Sequence, residues 1–385
     1  MSEEEFDFVR RLLIITVGSS ASIHLLGGVA RVYPDVLFRN KIMIIETSKK
    51  MFNDAIDYLA KIYHINYAKR KGKKPEEQKQ GFPTSTFKGE LIRNSVLLAE
   101  GGGGATPEKG LGFYNNKKEK VLEKIVNIVS GEESGGRELS GILVIGAAGK
   151  GTGTLVTPAL LRDLYQTEGV PKPLGFMTLP FRFDEASINN AKKIMDVLHE
   201  IPIFLLDYER VIGSYIYMTG NVPEKDIPIT QLYRMVVEAL SVTLSSLIEA
   251  LNFSTECNPP LDYSDIMPIL KKGDVGTITY SVRAKRDDFF KKWKDDVSTL
   301  LLLRTKNRPK STRAVTILKG VDIPLGITRD VAKFYKKYFN ATPQQYILNR
   351  GSGYSIVSLI HGFDPNDIDP PLSSEKSLVA KLIGL

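Results

Sequence analysis

Two stretches of the chain bring together residue types that do chemistry. The first is Val144-Ile145-Gly146-Ala147-Ala148-Gly149-Lys150-Gly151-Thr152-Gly153-Thr154, which follows a β-branched apolar run and precedes a helical pattern starting near Thr157. Glycines let backbone N–H groups approach an anion closely, and a helix N-terminus adds the positive end of its dipole. Thr152 and Thr154 add hydroxyl donors, while Lys150 either adds a cation or faces solvent. Hydrogen bonds to a charged acceptor contribute about 1.5–3 kcal/mol each, so several together hold a di- or triphosphate at roughly micromolar affinity or better. A tight turn would need fewer than these four glycines and two threonines. The string is not a Walker P-loop: Gly151 follows Gly149-Lys150 where Ser or Thr is required, and Val144 stands at the first glycine position. The second stretch is Pro259-Pro260-Leu261-Asp262-Tyr263-Ser264-Asp265. Carboxylates three apart at a helix start share a face, which suits orienting a water beside Mg²⁺. The same spacing equally suits an N-cap and a favourable first-turn charge.

The elements that position these stretches follow from hydrophobic periodicity. Short apolar runs at Leu12–Val17, Ile42–Ile45, Ser95–Leu98, Ile142–Ile145, Gly175–Leu179 and Ile203–Leu206 alternate with helical patterns, which predicts an α/β fold, a doubly wound and mostly parallel sheet. The runs lead into loops carrying Gly18, Ser19, Ser20 and Ser22; Glu46; Gly102, Gly103, Gly104, Ala105 and Thr106; the glycine-rich stretch; Pro180 and Asp184; and Asp207. Strand C-terminal ends share one rim in such a sheet, so these loops converge on one crevice. Glu46 there suits a ribose, a solvated metal or a cap. A long helix is expected at Ile229–Asn252, then a smaller α/β unit with strands near 276–282, 314–318, 344–349 and 354–361 and helices near 287–303 and 328–338. The expected organisation is a nucleotide-binding domain at 1–228, the central helix and its loop at 229–260, a C-terminal α/β domain at 261–365, and a linker and tail at 366–385.

Composition narrows the function classes. Hydrophobic residues make up 42% and charged residues 25% of 385, ordinary for a globular chain long enough for two cores. One cysteine, Cys257, and four scattered histidines leave no disulfide framework and no Cys/His zinc site. No protein-held metal site is expected, and any Mg²⁺ would arrive with the nucleotide. The net charge is +8, with its densest patch KRKGKK at 69–74. That patch lies in a polar segment, 64–90, without periodicity, so a solvated loop is expected there and no nucleic-acid partner. Contiguous apolar runs fall short of the roughly 20 residues of a membrane span, and the acidic start lacks a basic leader segment, so a cytoplasmic protein is expected.

Taken together, the loops resemble the tubulin/FtsZ superfamily. Gly149, Gly151, Thr152, Gly153 and Thr154 match its G-G-G-T-G-[ST]-G loop, with Lys150 at the middle glycine and Leu155 at the last. Gly18–Ser22 resembles its first nucleotide loop, GGATPEKG at 103–110 its G-A-G-A-D-P-E-x-G segment, and TLPFRFDE at 178–185 its T-K-P-F-x-F-E-G segment. Asp262 and Asp265 match the N-x-D-[FY]-x-D segment, with Pro260 at the Asn. The resemblance implies bound GTP or GDP with Mg²⁺, and head-to-tail filaments of identical subunits. It further implies a GTPase site completed by Asp262 and Asp265 of the next subunit. Near the start of the long helix, Tyr233 and Arg234 fall where the family recognises guanine, although Tyr233 equally suits a core position. The stretch 378–385 resembles in placement a tail that engages membrane-linked partners, and equally suits a helix packed back on the protein. Weak or absent hydrolysis, leaving a nucleotide-dependent scaffold, is the alternative that Lys150, Leu155 and Pro260 keep open. A small-molecule kinase using the GKGT string ranks below both.

Overall fold

The computed structural model describes residues 11–72, 83–102, 106–132, 138–219, 228–299, 302–307, 312–351 and 353–368. The first part alternates strands and helices: β1 Leu12–Val17, a π-helical stretch Ser20–Leu26, α1 Gly27–Val32, α2 Val36–Arg39, β2 Asn40–Glu46, α3 Lys49–Arg70, α4 Pro83–Asn94 and β3 Val96–Leu97. There follow α5 Pro107–Val129, β4 Gly141–Ala147, α6 Gly151–Gln166, β5 Leu174–Leu179, α7 Glu185–Lys192, β6 Ile203–Asp207 and α8 Tyr208–Thr219. The long helix α9, Ile229–Asn252, leads to β7 Cys257–Asn258 and α10 Tyr263–Ile266. The rest comprises β8 Val275–Arg283, α11 Arg286–Thr299, β9 Arg313–Lys319, α12 Leu325–Phe339, β10 Gln344–Leu348 and β11 Tyr354–Phe363.

All these strands belong to one sheet, ordered β3-β2-β1-β4-β5-β6-β8-β11-β9-β10-β7. From β3 to β8 every neighbour is parallel. β11 then runs antiparallel to β8 and β9, and β7 antiparallel to β10. The sheet crosses the boundary expected after residue 260 through a short parallel seam, Ile203 opposite Val275 and Phe204 opposite Gly276. The two hydrophobic clusters are accordingly the two faces of this sheet, each containing residues from both halves of the chain. Alternation along β1 shows why: Leu12 and Ile14 face α1–α4 and α9, whereas Leu13, Ile15 and Val17 face α5 and α6. Both faces are covered, so β1 reads as a continuous apolar run with every residue buried.

One expectation changes here. The segment 64–90 is not all loop: α3 continues to Arg70 and α4 starts at Pro83, with residues 73–82 of the segment outside the described residues. The tail from 369, with its amphipathic stretch 378–385, also lies outside them. Among the described residues one helix, α9, is long and apolar enough to cross a membrane, but 83% of its most apolar window is buried inside the protein. Counting contiguous apolar residues overlooks it because Ser241, Thr243, Ser245 and Ser246 interrupt the run. Thr243 and Ser246 donate their hydroxyls to the carbonyls of Ala239 and Val242, one turn back, which lets polar side chains sit inside the core.

Candidate functional site

The parallel strands β1 to β6 end on a common rim. β4 continues through Ala147, so Gly146 and Ala147 are strand residues and the connection proper is Ala148–Lys150, a correction to the longer loop expected from the glycines. Gly149 has φ +99°, which a side chain would resist, and a Cβ there would stand 2.7 Å from the Ser187 Cβ. A Cβ on Gly153 would stand 2.3 Å from the Ala147 carbonyl oxygen, so the first turn of α6 rests directly on the end of β4. Lys150 occupies the N-cap of α6 without a capping side-chain bond. The amides of Gly151, Thr152 and Gly153 therefore have no acceptor one turn back within the helix. The hydroxyls expected to serve a phosphate are engaged within the protein. Thr154 accepts from the Gly149 amide at 3.0 Å and donates to the Lys150 carbonyl. Thr152 donates to Glu46 Oε1 at 2.8 Å and lies 2.7 Å from the Thr47 hydroxyl.

Glu46, at the end of β2, is buried and also accepts from the Thr47 amide at 2.7 Å. It therefore ties the second loop to the α6 start. Gly18, with φ +88°, packs on Thr152 and Gly153, and its carbonyl accepts from the amide and hydroxyl of Ser22. Ser22 is buried against Thr16, so it builds the turn, whereas Ser19 and Ser20 are half-buried at the rim. Gly102, with φ +77°, lies over Ser48, and Thr106 occupies the N-cap of α5 ahead of Pro107. Gly103, Gly104 and Ala105 lie outside the described residues. The starts of α5 and α6 are adjacent, since a Cβ on Gly110 would stand 2.7 Å from the Gly151 carbonyl oxygen. Two long helices thus direct their positive ends at one place.

The fifth and sixth loops form the side of the crevice. Pro180 is buried, and Asp184 caps α7 by accepting from the Ser187 amide at 3.0 Å and its hydroxyl at 2.6 Å. Lys150 Nζ reaches Asp184 at 3.4 Å. Burial pushes the Asp184 carboxyl up, but the Ser187 hydrogen bonds and Lys150 outweigh it and hold the group below its usual value. Tyr233 joins a ring cluster: its centroid is 5.1 Å from Phe181 and 6.0 Å from Tyr208, while Phe183 stacks on Phe181 at 5.1 Å. Burial, then Asp184 and Tyr208, raise its hydroxyl to about 12. Arg234, next along α9, is exposed. Asp207 is buried at the end of β6, accepts from the Glu209 amide at 2.9 Å, and is pushed up to about 6 by burial.

Asp262 and Asp265 lie elsewhere. Between them Tyr263 inserts its ring beneath Gly141, the first residue of β4, and its hydroxyl reaches the carbonyls of Ile142 at 2.6 Å and Lys172 at 2.8 Å. The pair is thus anchored at the amino ends of the strands, with the seven residues of β4 intervening, about 20 Å at roughly 3.3 Å per residue. Asp265 accepts from the Asp262 amide at 2.7 Å, and the two residues form a capping box. Asp262 is exposed and Asp265 half-buried. The rim loops converge, and this pair faces away from them. Among the described residues no three His, Cys, Asp or Glu side chains cluster as a metal site.

Sequence reasoning missed Thr47, Ser187, Asn190, Tyr208 and Tyr263. Of these only Tyr263 carried a signal, an aromatic between two acids that had to be buried somewhere.

No protein-family model matches the chain. The GDP-bound monomer of CetZ1 from Haloferax volcanii superposes with TM-score 0.65 at 15% identity, covering 94% of this chain and 96% of that one. An FtsZ dimer from M. jannaschii gives 0.58 at 12%, covering 92% and 88%. A GTPγS-form protofilament of TubZ from Bacillus thuringiensis gives 0.58 at 13%, covering 93% and 89%. The mitochondrial division protein fszB of Dictyostelium discoideum is 26% identical over 200 residues, a match spanning 49% of this chain and 50% of that protein. The chain shares the fold of these CetZ, FtsZ and TubZ structures.

Proposed function

We propose that the chain is a cytoplasmic, guanine-nucleotide-binding cytoskeletal protein that stacks head to tail into filaments and hydrolyses GTP at the junctions. One observation carries this reading: the phosphate-type loops and the acidic pair occupy opposite ends of the same strands. No single subunit can bring them to one nucleotide, but translation along the strand axis can, and a heterologous contact of that kind repeats without closing. Two of the solved relatives, the GDP-bound CetZ1 monomer and the GTPγS-form TubZ protofilament, support the same reading.

The amides of Gly151, Thr152 and Gly153 would receive the phosphates, and Thr47, Thr152 and Glu46 would hold the α6 start in position. The half-buried hydroxyls of Ser19 and Ser20 at this rim are oxygen donors, a chemistry that suits Mg²⁺. Bound Mg²⁺ would offset phosphate charge. Asp262 and Asp265 of the adjoining subunit would orient the attacking water.

GTP turnover per subunit is expected to rise with protein concentration, and turnover that stays constant on dilution would overturn the in-trans site. Asp262→Ala or Asp265→Ala is expected to lower turnover by about 100-fold or more, the scale of a lost general base, while nucleotide binding persists. A second reading, a nucleotide-dependent scaffold with slow hydrolysis, is favoured by the engagement of the Asp265 carboxylate with the Asp262 amide in the capping box. It predicts GTP-dependent sedimentation with slow turnover at every concentration.

A further inference from the structure

Lys150 is the residue of the phosphate-type loop whose placement the proposed function does not explain. It is an N-cap residue carrying a positive charge, set at the positive end of a 16-residue helix. That arrangement is unfavourable unless an anion is added. Asp184 supplies one at 3.4 Å.

The pair is asymmetric. Asp184 is fixed by the amide and hydroxyl of Ser187, whereas the Lys150 side chain is 59% exposed and makes no other hydrogen bond among the described residues. The turn beneath Lys150 is rigid: Gly149 donates its amide to Thr154 and accepts at its carbonyl from Asn190 Nδ2 at 3.1 Å. Only the lysine side chain is free to move. Exposed ion pairs of this kind are weak, while a charge-assisted bond to a multiply charged phosphate is stronger.

Building on the nucleotide reading, we propose that Lys150 exchanges counter-ions, leaving Asp184 for the terminal phosphate of bound nucleotide. Asp184 thereby sets how tightly the phosphates are held. The carboxylate competes with the phosphate for one cation, so the residue at 184 tunes nucleotide lifetime without touching the ligand. Lys150 is here a ligand-binding residue, and Asp184 a positioning residue that acts through it.

The test is the dissociation rate of fluorescently labelled GDP and GTPγS from the full chain, chased with unlabelled nucleotide. Lys150→Gln is expected to speed release about tenfold, the effect of one charge-assisted contact. Asp184→Asn keeps an N-cap acceptor for Ser187, because Asn and Asp cap equally well, and is expected to slow release severalfold. In the Lys150→Gln background it is expected to change nothing. Release that quickens in Asp184→Asn would mean that the ion pair straps the site shut, and would overturn the exchange. An effect of Asp184→Asn that persists without Lys150 would overturn it too, as would rates equal to wild type in Lys150→Gln. If the wild-type chain retains neither nucleotide, the nucleotide reading itself fails, an outcome distinct from flat variant rates on a chain that binds.

Discussion

The two ends of the sheet place charge-handling groups by different means. At the rim the work falls to backbone: the amides at the start of α6 are set by glycines pressed against Ala147 and Ser187, and the nearby hydroxyls are consumed in holding that backbone. At the far end it falls to side chains: a four-residue helix presents Asp262 and Asp265, and one tyrosine secures it. The rim should therefore tolerate side-chain exchange where the backbone is untouched and fail where a Cβ intrudes. The far end should keep its fold when either carboxylate is removed, and slacken when its anchor is weakened.

The largest effect is expected at Gly153→Ala. Its new Cβ would stand 2.3 Å from a backbone oxygen that cannot swing aside, which costs about 3 kcal/mol by overpacking. Urea denaturation would measure the loss, and an unchanged midpoint would show that the rim backbone is softer than its contacts imply. The carboxylate exchange Asp262→Asn should stay within about 0.5 kcal/mol of wild type in the same assay.

A pH titration of stability separates the rim from the seam of the sheet. His361 is buried against Phe204 and Gly276, and burial, with Arg313 and Lys271, lowers it from 6.5 to about 3. Between those values the unfolded chain binds a proton that the folded chain refuses, so stability falls on acidification, by about 2 kcal/mol from neutrality to pH 5. Asp207 acts oppositely. Its carboxyl rises from 3.8 to about 6, so the folded chain binds the extra proton and stability increases as pH falls through that window. Asp207→Asn should leave the acid loss exposed, and His361→Phe should leave a chain that gains stability from pH 6 towards 4. Parallel profiles in the two variants would contradict both assignments.

A smaller effect than that of Gly153→Ala is expected at the anchor. Tyr263→Phe removes the hydroxyl shared by Ile142 and Lys172, at about 1 kcal/mol. GTP turnover should drop while nucleotide affinity holds. Turnover equal to wild type would mean that α10 is positioned by packing alone.

Much of this architecture is legible in the sequence. The first six strands and α9 announce themselves through short apolar runs and 3.6-residue periodicity, signals that local packing reinforces. β7 did not, because two residues, Cys257 and Asn258, carry no period. The π-helical stretch Ser20–Leu26 was hidden by serines that read as loop, and the end of α3 by the charges of Lys69 and Arg70. Sheet continuity through β6 and β8 depends on residues some seventy positions apart, which no window reveals. At the site, residue types identified the loops, but the use of each group was settled by partners distant in sequence. Thr152 looked like a ligand hydroxyl until Glu46 appeared beside it, 106 residues away.

The outer strands of the sheet, β3 and β7, are each two residues long. An outer strand is where a sheet can accrete foreign strands, since its unpaired amides and carbonyls template another ladder. Here each offers less than one turn of a ladder, and β7 runs into Pro259 and Pro260, which have no amide hydrogen to donate. Sideways fusion of sheets, the route to amyloid-like aggregates, is blunted at both margins. The strand ends, along which the proposed head-to-tail stacking would run, carry no such restriction.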